Sequence, residues 1–77
     1  MDMQNLIHMA NKIGDFFETV PDHEESLLGI VGHIHNFWAP RMRAQLLEYV
    51  DSDNGAGIKP LVLEAIHAYR SNLLPRN

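Results

Sequence analysis

The chain has 77 residues, a formal net charge of −4 and no cysteine. This length suffices for one small domain, and the absence of thiols excludes disulfides and thiolate metal sites. The negative charge argues against a general nucleic-acid binder, because such proteins gain affinity by neutralising phosphates. The charge is unevenly distributed, however: no acidic residue lies between Glu25 and Glu48, so a locally basic face can form there.

The start of the chain has neither a secretory nor a membrane pattern. Its first residues lack the basic start and long apolar run of a signal peptide. No stretch approaches the roughly 20 apolar residues that span a bilayer. We therefore expect a cytoplasmic protein without membrane contact.

Two apolar stripes with helical spacing predict a first helix over 3–19 and a second over 22–38. Pro21 separates them, because the residue before a proline is pushed out of the helical region. Asp22 and Glu25 have the spacing of a capping box at the start of the second helix. The two stripes are typical of antiparallel helices joined by a short turn. The first stripe consists of Leu6, Met9, Ala10, Ile13, Phe16, Phe17 and Val20, and the second consists of Leu27, Ile30, Val31, Ile34, Phe37 and Trp38.

Prolines mark the third and fourth helices, because a missing N–H is tolerated in the first turn. The third is predicted over 40–50 and the fourth over 59–73. Segment 51–58 is rich in Asp, Asn and Gly and is typical of a loop. With 74–77 as a tail and no strand pattern, the prediction is one all-α domain over residues 1–77, a small bundle of three or four helices.

The polar residues form no coherent catalytic or metal-binding pattern. His33 and His35 are two positions apart, so they point about 200° apart around a helix. Glu64 and His67 have Glu-x-x-His spacing, but a dinuclear centre needs two such motifs and further glutamates. No serine lies in a nucleophile elbow, and no glycine-rich loop follows a strand. We therefore predict a protein that is not an enzyme and has no catalytic, cofactor-binding or metal-binding residue.

Residues 37–43, Phe-Trp-Ala-Pro-Arg-Met-Arg, contain the only tryptophan and two of the six Lys/Arg residues. Trp and Arg are enriched at interface hot spots. Helical spacing favours burial of one of Phe37 and Trp38, with the other at an edge. Arg41 and Arg43 follow a helix-breaking proline, and we expect both to be exposed. The segment therefore predicts a protein-recognition surface.

Two blocks of sequence carry a resemblance to a known family. Residues 9–13, Met-Ala-Asn-Lys-Ile, and residues 37–42, Phe-Trp-Ala-Pro-Arg-Met, resemble the small delta subunit of NAD-dependent, molybdenum-containing formate dehydrogenases. The similarity runs from about Asn5 to Tyr69. It implies a bacterial cytoplasmic complex that oxidises formate to carbon dioxide and reduces NAD. In such a complex the catalytic subunit holds a molybdenum bis-pterin guanine dinucleotide cofactor, and other subunits carry iron-sulfur clusters and FMN.

The resemblance implies a non-catalytic accessory subunit that holds no cofactor itself. It would dock on the catalytic subunit for assembly, stability or cofactor insertion. The candidate contact residues are Asn11, Trp38, Arg41, Met42 and Arg43. Two alternatives stay open: a helical module that self-associates into a homo-oligomer through its apolar stripes, and a small nucleic-acid binder that uses Arg41 and Arg43. Steep salt dependence of binding would identify the nucleic-acid binder.

Overall fold

The computed structural model describes residues 2–74, and these form helices without any strand. The helices are α1 (Met3–Phe17), α2 (His23–Phe37), α3 (Pro40–Asp53), α4 (Pro60–Ala68) and α5 (Arg70–Leu73). The prediction of a small all-α bundle is thereby confirmed. Residues 75–77 of the predicted tail lie outside the described part of the chain. None of the described helices combines the length and apolar character needed to cross a membrane.

Local sequence signals set the starts of the four longer helices. Asp2 and Asp22 are the N-caps of α1 and α2, and each carboxylate accepts a hydrogen bond of 3.1 Å from the backbone N–H two residues further on. Such caps satisfy one of the free N–H groups of a first turn. Pro40 and Pro60 begin α3 and α4, where the missing N–H costs no hydrogen bond.

The ends of the third and fourth helices differ most from the sequence prediction, and the other boundaries agree with it within two residues. The third helix continues to Asp53, beyond its predicted end at residue 50, and the next residue, Asn54, has left-handed geometry with φ 57°. Asparagine tolerates this conformation better than most residues, so it can end a helix. The helix predicted over 59–73 is interrupted at Tyr69, where φ is −125° and ψ is 35°. Neither glycine nor proline marks that break in the sequence.

The core lies where the apolar side of α2 meets the other helices. This helix packs against α1, α4 and α5, and α1 also contacts α3 and α4. Burial of these stripes removes apolar surface from water and is the main force that holds the bundle together. The largest fully buried side chains are Leu6, Ile30, Ile34, Leu46, Val62, Ile66 and Leu73.

Candidate protein-interaction site

The predicted contact segment divides into a buried part and an accessible part. Trp38 is buried at the end of α2, and its backbone N–H donates to the carbonyl oxygen of Ile34 at 2.9 Å. Arg41 is exposed, whereas Met42 is half-buried against the core. An open depression at the start of α3 is lined by Ala39, Pro40, Arg41, Met42 and Gln45. Of the tryptophan and its neighbour Phe37, the tryptophan is thus the buried one, and the other side chain lies at the surface.

The expectation that Arg43 is exposed is wrong, since this residue is only 8% exposed. Its Nε donates to the carbonyl oxygen of Leu73 at 3.1 Å. Its Nη1 lies 2.9 Å from the carbonyl oxygen of Trp38 and 3.2 Å from that of His35. These acceptors belong to the C-terminal ends of α2 and α5, where carbonyls lack intrahelical partners and a cation is favoured by the helix dipole. The side chain therefore ties α3 to two helix ends.

The side chain of Asn11 is engaged by the loop before α4. Its Nδ2 donates to the carbonyl oxygen of Gly57 at 2.9 Å, and its Oδ1 accepts from the backbone N–H of Lys59 at 2.9 Å. Both partners follow it by more than forty residues, so the sequence pattern alone could not reveal them. This amide fixes the position of the loop on α1.

An ion-pair group lies beside this loop. The Nζ of Lys59 is 2.8 Å from the carboxylate of Asp15 and 3.2 Å from that of Glu18. Hydrogen bonds to Asp15 first, and then to Glu18, raise the pKa of Lys59 above its ordinary value. The group joins the C-terminal part of α1 to the start of α4, although its exposure limits the stabilisation that it provides.

A second polar contact joins α2 to α4. The Nε2 of His23 lies 2.8 Å from the carboxylate oxygen of Glu64. The hydrogen bond to Glu64, followed by its negative charge, raises the pKa of His23. Glu64 therefore contacts a side chain of α2 and does not pair with His67 as the Glu-x-x-His spacing would allow. Within residues 2–74, no three His, Asp or Glu side chains are grouped to hold a metal ion.

Several aromatic rings form an exposed surface over α1 and α2. Phe16 and Phe37 are 67% and 74% exposed, although their spacing placed both on apolar stripes. The ring of Phe16 meets that of Phe17 edge-on, with centroids 4.9 Å apart, and the rings of His33 and Phe37 are 4.7 Å apart. They line an apolar depression that we call the aromatic face, consisting of Lys12, Ile13, Phe16, Phe17, His33 and Phe37.

Helical geometry explains why Phe16 is not in the core. The buried residues of α1 are Leu6, Ala10 and Gly14, and Phe16 lies about 120° around the helix from Ala10. The first stripe was therefore too wide for all its members to face inward. Phe17 instead packs on Gly29 of α2, where an added β-carbon would overlap its ring. This close packing positions the neighbouring aromatic rings above the junction of the two helices.

The fold and its surface define a small helical protein with exposed aromatic side chains, a feature of proteins that bind other proteins. Residues 5–66 match the model of the family described as the NADH-dependent formate dehydrogenase delta subunit FdsD. The chain belongs to this family, and the resemblance found in the sequence is confirmed. Comparisons with curated proteins and with solved structures gave no significant match.

Proposed function

We propose that this protein is a non-catalytic accessory subunit of a cytoplasmic NAD-dependent formate dehydrogenase. It docks on the molybdenum-containing catalytic subunit. The family match over residues 5–66 carries this proposal, because it extends from α1 into α4. In this proposal the molybdenum cofactor, the iron-sulfur clusters, FMN and the NAD site belong to the other subunits of the complex.

The use of the polar side chains supports a structural role. Lys59 pairs with carboxylates of α1, His23 with Glu64 of α4, and Arg70 with Asp51 at 2.6 Å. Each contact joins two helices across the bundle. These groups stabilise the shape of the subunit, and its apolar surface is left for contact with a partner.

Docking by such a subunit would act on the catalytic subunit through mass action. A partner that binds only the folded state stabilises it by about 2.7 kcal/mol when its free concentration is 100 times the Kd. The same contact could hold the catalytic subunit in a form that accepts its cofactor. Assembly, stability and cofactor insertion are thus three consequences of one binding event, and they differ in what is lost when the subunit is missing.

We propose different contributions for the five residues singled out in the sequence. Arg41 and Met42 have accessible surface at the start of α3 and can touch a partner directly. Trp38, Arg43 and Asn11 are engaged within the bundle. We assign these three the role of holding the docking surface in shape.

Co-expression of the tagged catalytic subunit and the remaining subunits, with and without this chain, tests the proposal. We expect the chain to co-purify, and its omission to lower formate-dependent NAD reduction. A fall in molybdenum per catalytic subunit indicates cofactor insertion, whereas a lower melting temperature at unchanged molybdenum content indicates stabilisation. A chain that neither co-purifies nor changes activity would refute the proposal.

A further inference from the structure

We infer that the aromatic face is the docking surface for the catalytic subunit. Its occupant is a segment of that subunit that presents apolar side chains to Phe16 and Phe37 and a carboxylate to Lys12. This inference rests on the function proposed above and assigns a place to the contact.

Two large apolar side chains of the aromatic face are strongly exposed. Phe16 and Phe37 are the most exposed large hydrophobic side chains within residues 2–74, and both line the same depression. Single exposed apolar residues are common and need no explanation, whereas contiguous ones mark interaction sites. Ile13 and Phe17 extend the same surface inward to the core of the bundle. A partner can therefore bury these rings and exclude water from a continuous apolar area.

Each exposed ring of the aromatic face already packs against a neighbouring ring. The rings of Phe16 and Phe17 pack edge to face, and the ring of Phe17 lies close against Gly29. Phe37 packs against the ring of His33 one helical turn earlier. Side chains that are already ordered lose little conformational entropy when a partner arrives.

The aromatic face also carries a positive charge. The permanent charge in the lining of the aromatic face is that of Lys12, and none of the lining residues is acidic. Within residues 2–74, Lys12 has neither a hydrogen bond nor an ion pair, whereas Lys59 and Arg70 are both paired with carboxylates. A cation beside an apolar depression is complementary to an apolar segment that carries a carboxylate. The ten acidic residues, which give the chain its net charge of −4, lie outside the lining of this face.

The same charge argues against a second copy of this chain as the occupant. In a two-fold symmetric dimer the same patch faces itself. Two copies of Lys12 would then approach each other across a surface whose lining provides no carboxylate. A different partner avoids this repulsion.

The test uses the co-expressed complex with single variants of this chain. We expect Phe37→Glu and Phe16→Glu each to weaken co-purification with the tagged catalytic subunit at least tenfold. Lys12→Glu should also weaken it, whereas Lys12→Arg keeps the charge and should retain it. The matched control is Leu28→Glu, because Leu28 is an exposed apolar residue of α2 outside the aromatic face.

Far-ultraviolet circular dichroism of each variant shows whether the bundle is intact. If Phe37→Glu fails to fold, Phe37→Ser replaces it as the smaller polar substitution at that position. If the wild-type chain does not co-purify, the proposed function fails. If it does, and the Phe16 and Phe37 variants also co-purify as well as the control, the assignment of the surface is wrong while the function stands. A wild-type dimer that Phe37→Glu converts to a monomer, with unchanged co-purification, would make the face a self-association surface and overturn the inference.

Discussion

Arg43, which the sequence predicts as an exposed contact residue, is buried and hydrogen-bonded in the structure. A buried arginine usually has a carboxylate partner, because an unpaired buried charge is costly. Here the acceptors are backbone carbonyls at the ends of α2 and α5. These oxygens have no intrahelical donor, so the guanidinium of Arg43 supplies hydrogen bonds to two helix ends. The same hydrogen bonds compensate the burial of its own charge.

Replacement of Arg43 by Met should therefore destabilise the protein by about 2–4 kcal/mol, because buried carbonyl groups lose their charged donor. Urea denaturation followed by circular dichroism measures this loss. The matched control is Arg41→Met, which changes an exposed arginine of the same helix and should stay within about 0.5 kcal/mol of wild type. Equal effects of the two substitutions would contradict the role assigned to the buried side chain.

Arg41 allows a separate prediction about binding. As an exposed cation outside the aromatic face, it should act mainly on the rate of association, since surface charges steer the encounter of two proteins. We expect Arg41→Glu to slow association with the catalytic subunit, and to do so less at high salt. Phe37→Glu should instead accelerate dissociation. Surface-based kinetics at two ionic strengths distinguish the two, and an Arg41→Glu variant with unchanged kinetics would exclude this residue from the contact.

At the scale of helices, α2 and α4 are joined by the contact of His23 with Glu64. The pKa of His23 is raised in the folded state, so the stabilisation is fully present below the unfolded value of 6.5 and is lost as pH rises through the folded pKa. The contact should therefore strengthen the bundle at mildly acidic pH and fade at neutral to basic pH.

We expect wild type to have a higher free energy of unfolding than Glu64→Gln, and we expect this difference to be larger at pH 5.5 than at pH 8. Urea midpoints of both proteins at the two pH values provide the measurement, and His23→Gln should remove the pH-dependent difference between them. His8, an exposed histidine of α1, supplies the control substitution His8→Gln. A difference between wild type and Glu64→Gln that is the same at both pH values would show that His23 does not titrate with this contact.

The sequence predicts the helices better than it predicts their side-chain partners. The stripes of α1 and α2 and the prolines at the start of α3 and α4 are local signals, and they identify those helices. The break at Tyr69 has no local marker, and the fourth helix was therefore predicted in one piece.

The candidate site was harder to predict because its contacts also leave no local signal in the sequence. Arg43 meets an acceptor 30 residues away, and Asn11 meets partners 46 and 48 residues away. Exposure of Phe16 depends on which part of a wide apolar arc the other helices cover. These features follow from tertiary packing, which no spacing rule contains.

At the scale of the whole molecule, the chain is at the small end of independently folding domains. At about 0.05–0.15 kcal/mol per residue its stability should be roughly 4–12 kcal/mol. We expect a strongly helical far-ultraviolet spectrum and a Tm well below 90 °C for the isolated chain, with a higher Tm in the complex. A thermal melt of the free and bound protein measures this, and a Tm above 90 °C for the free chain would contradict it.

The backbone acceptors of Arg43 also have a consequence for sequence variation. Every amino acid supplies a carbonyl oxygen, so the identity of an acceptor residue matters little to the hydrogen bond that it accepts. His35 is an exposed acceptor and should be freely exchangeable for other helix-compatible residues. Position 43 should admit almost nothing else, because lysine lacks the planar group that reaches several oxygens at once. The corner where α2, α3 and α5 meet therefore combines one mutationally rigid position with a permissive one.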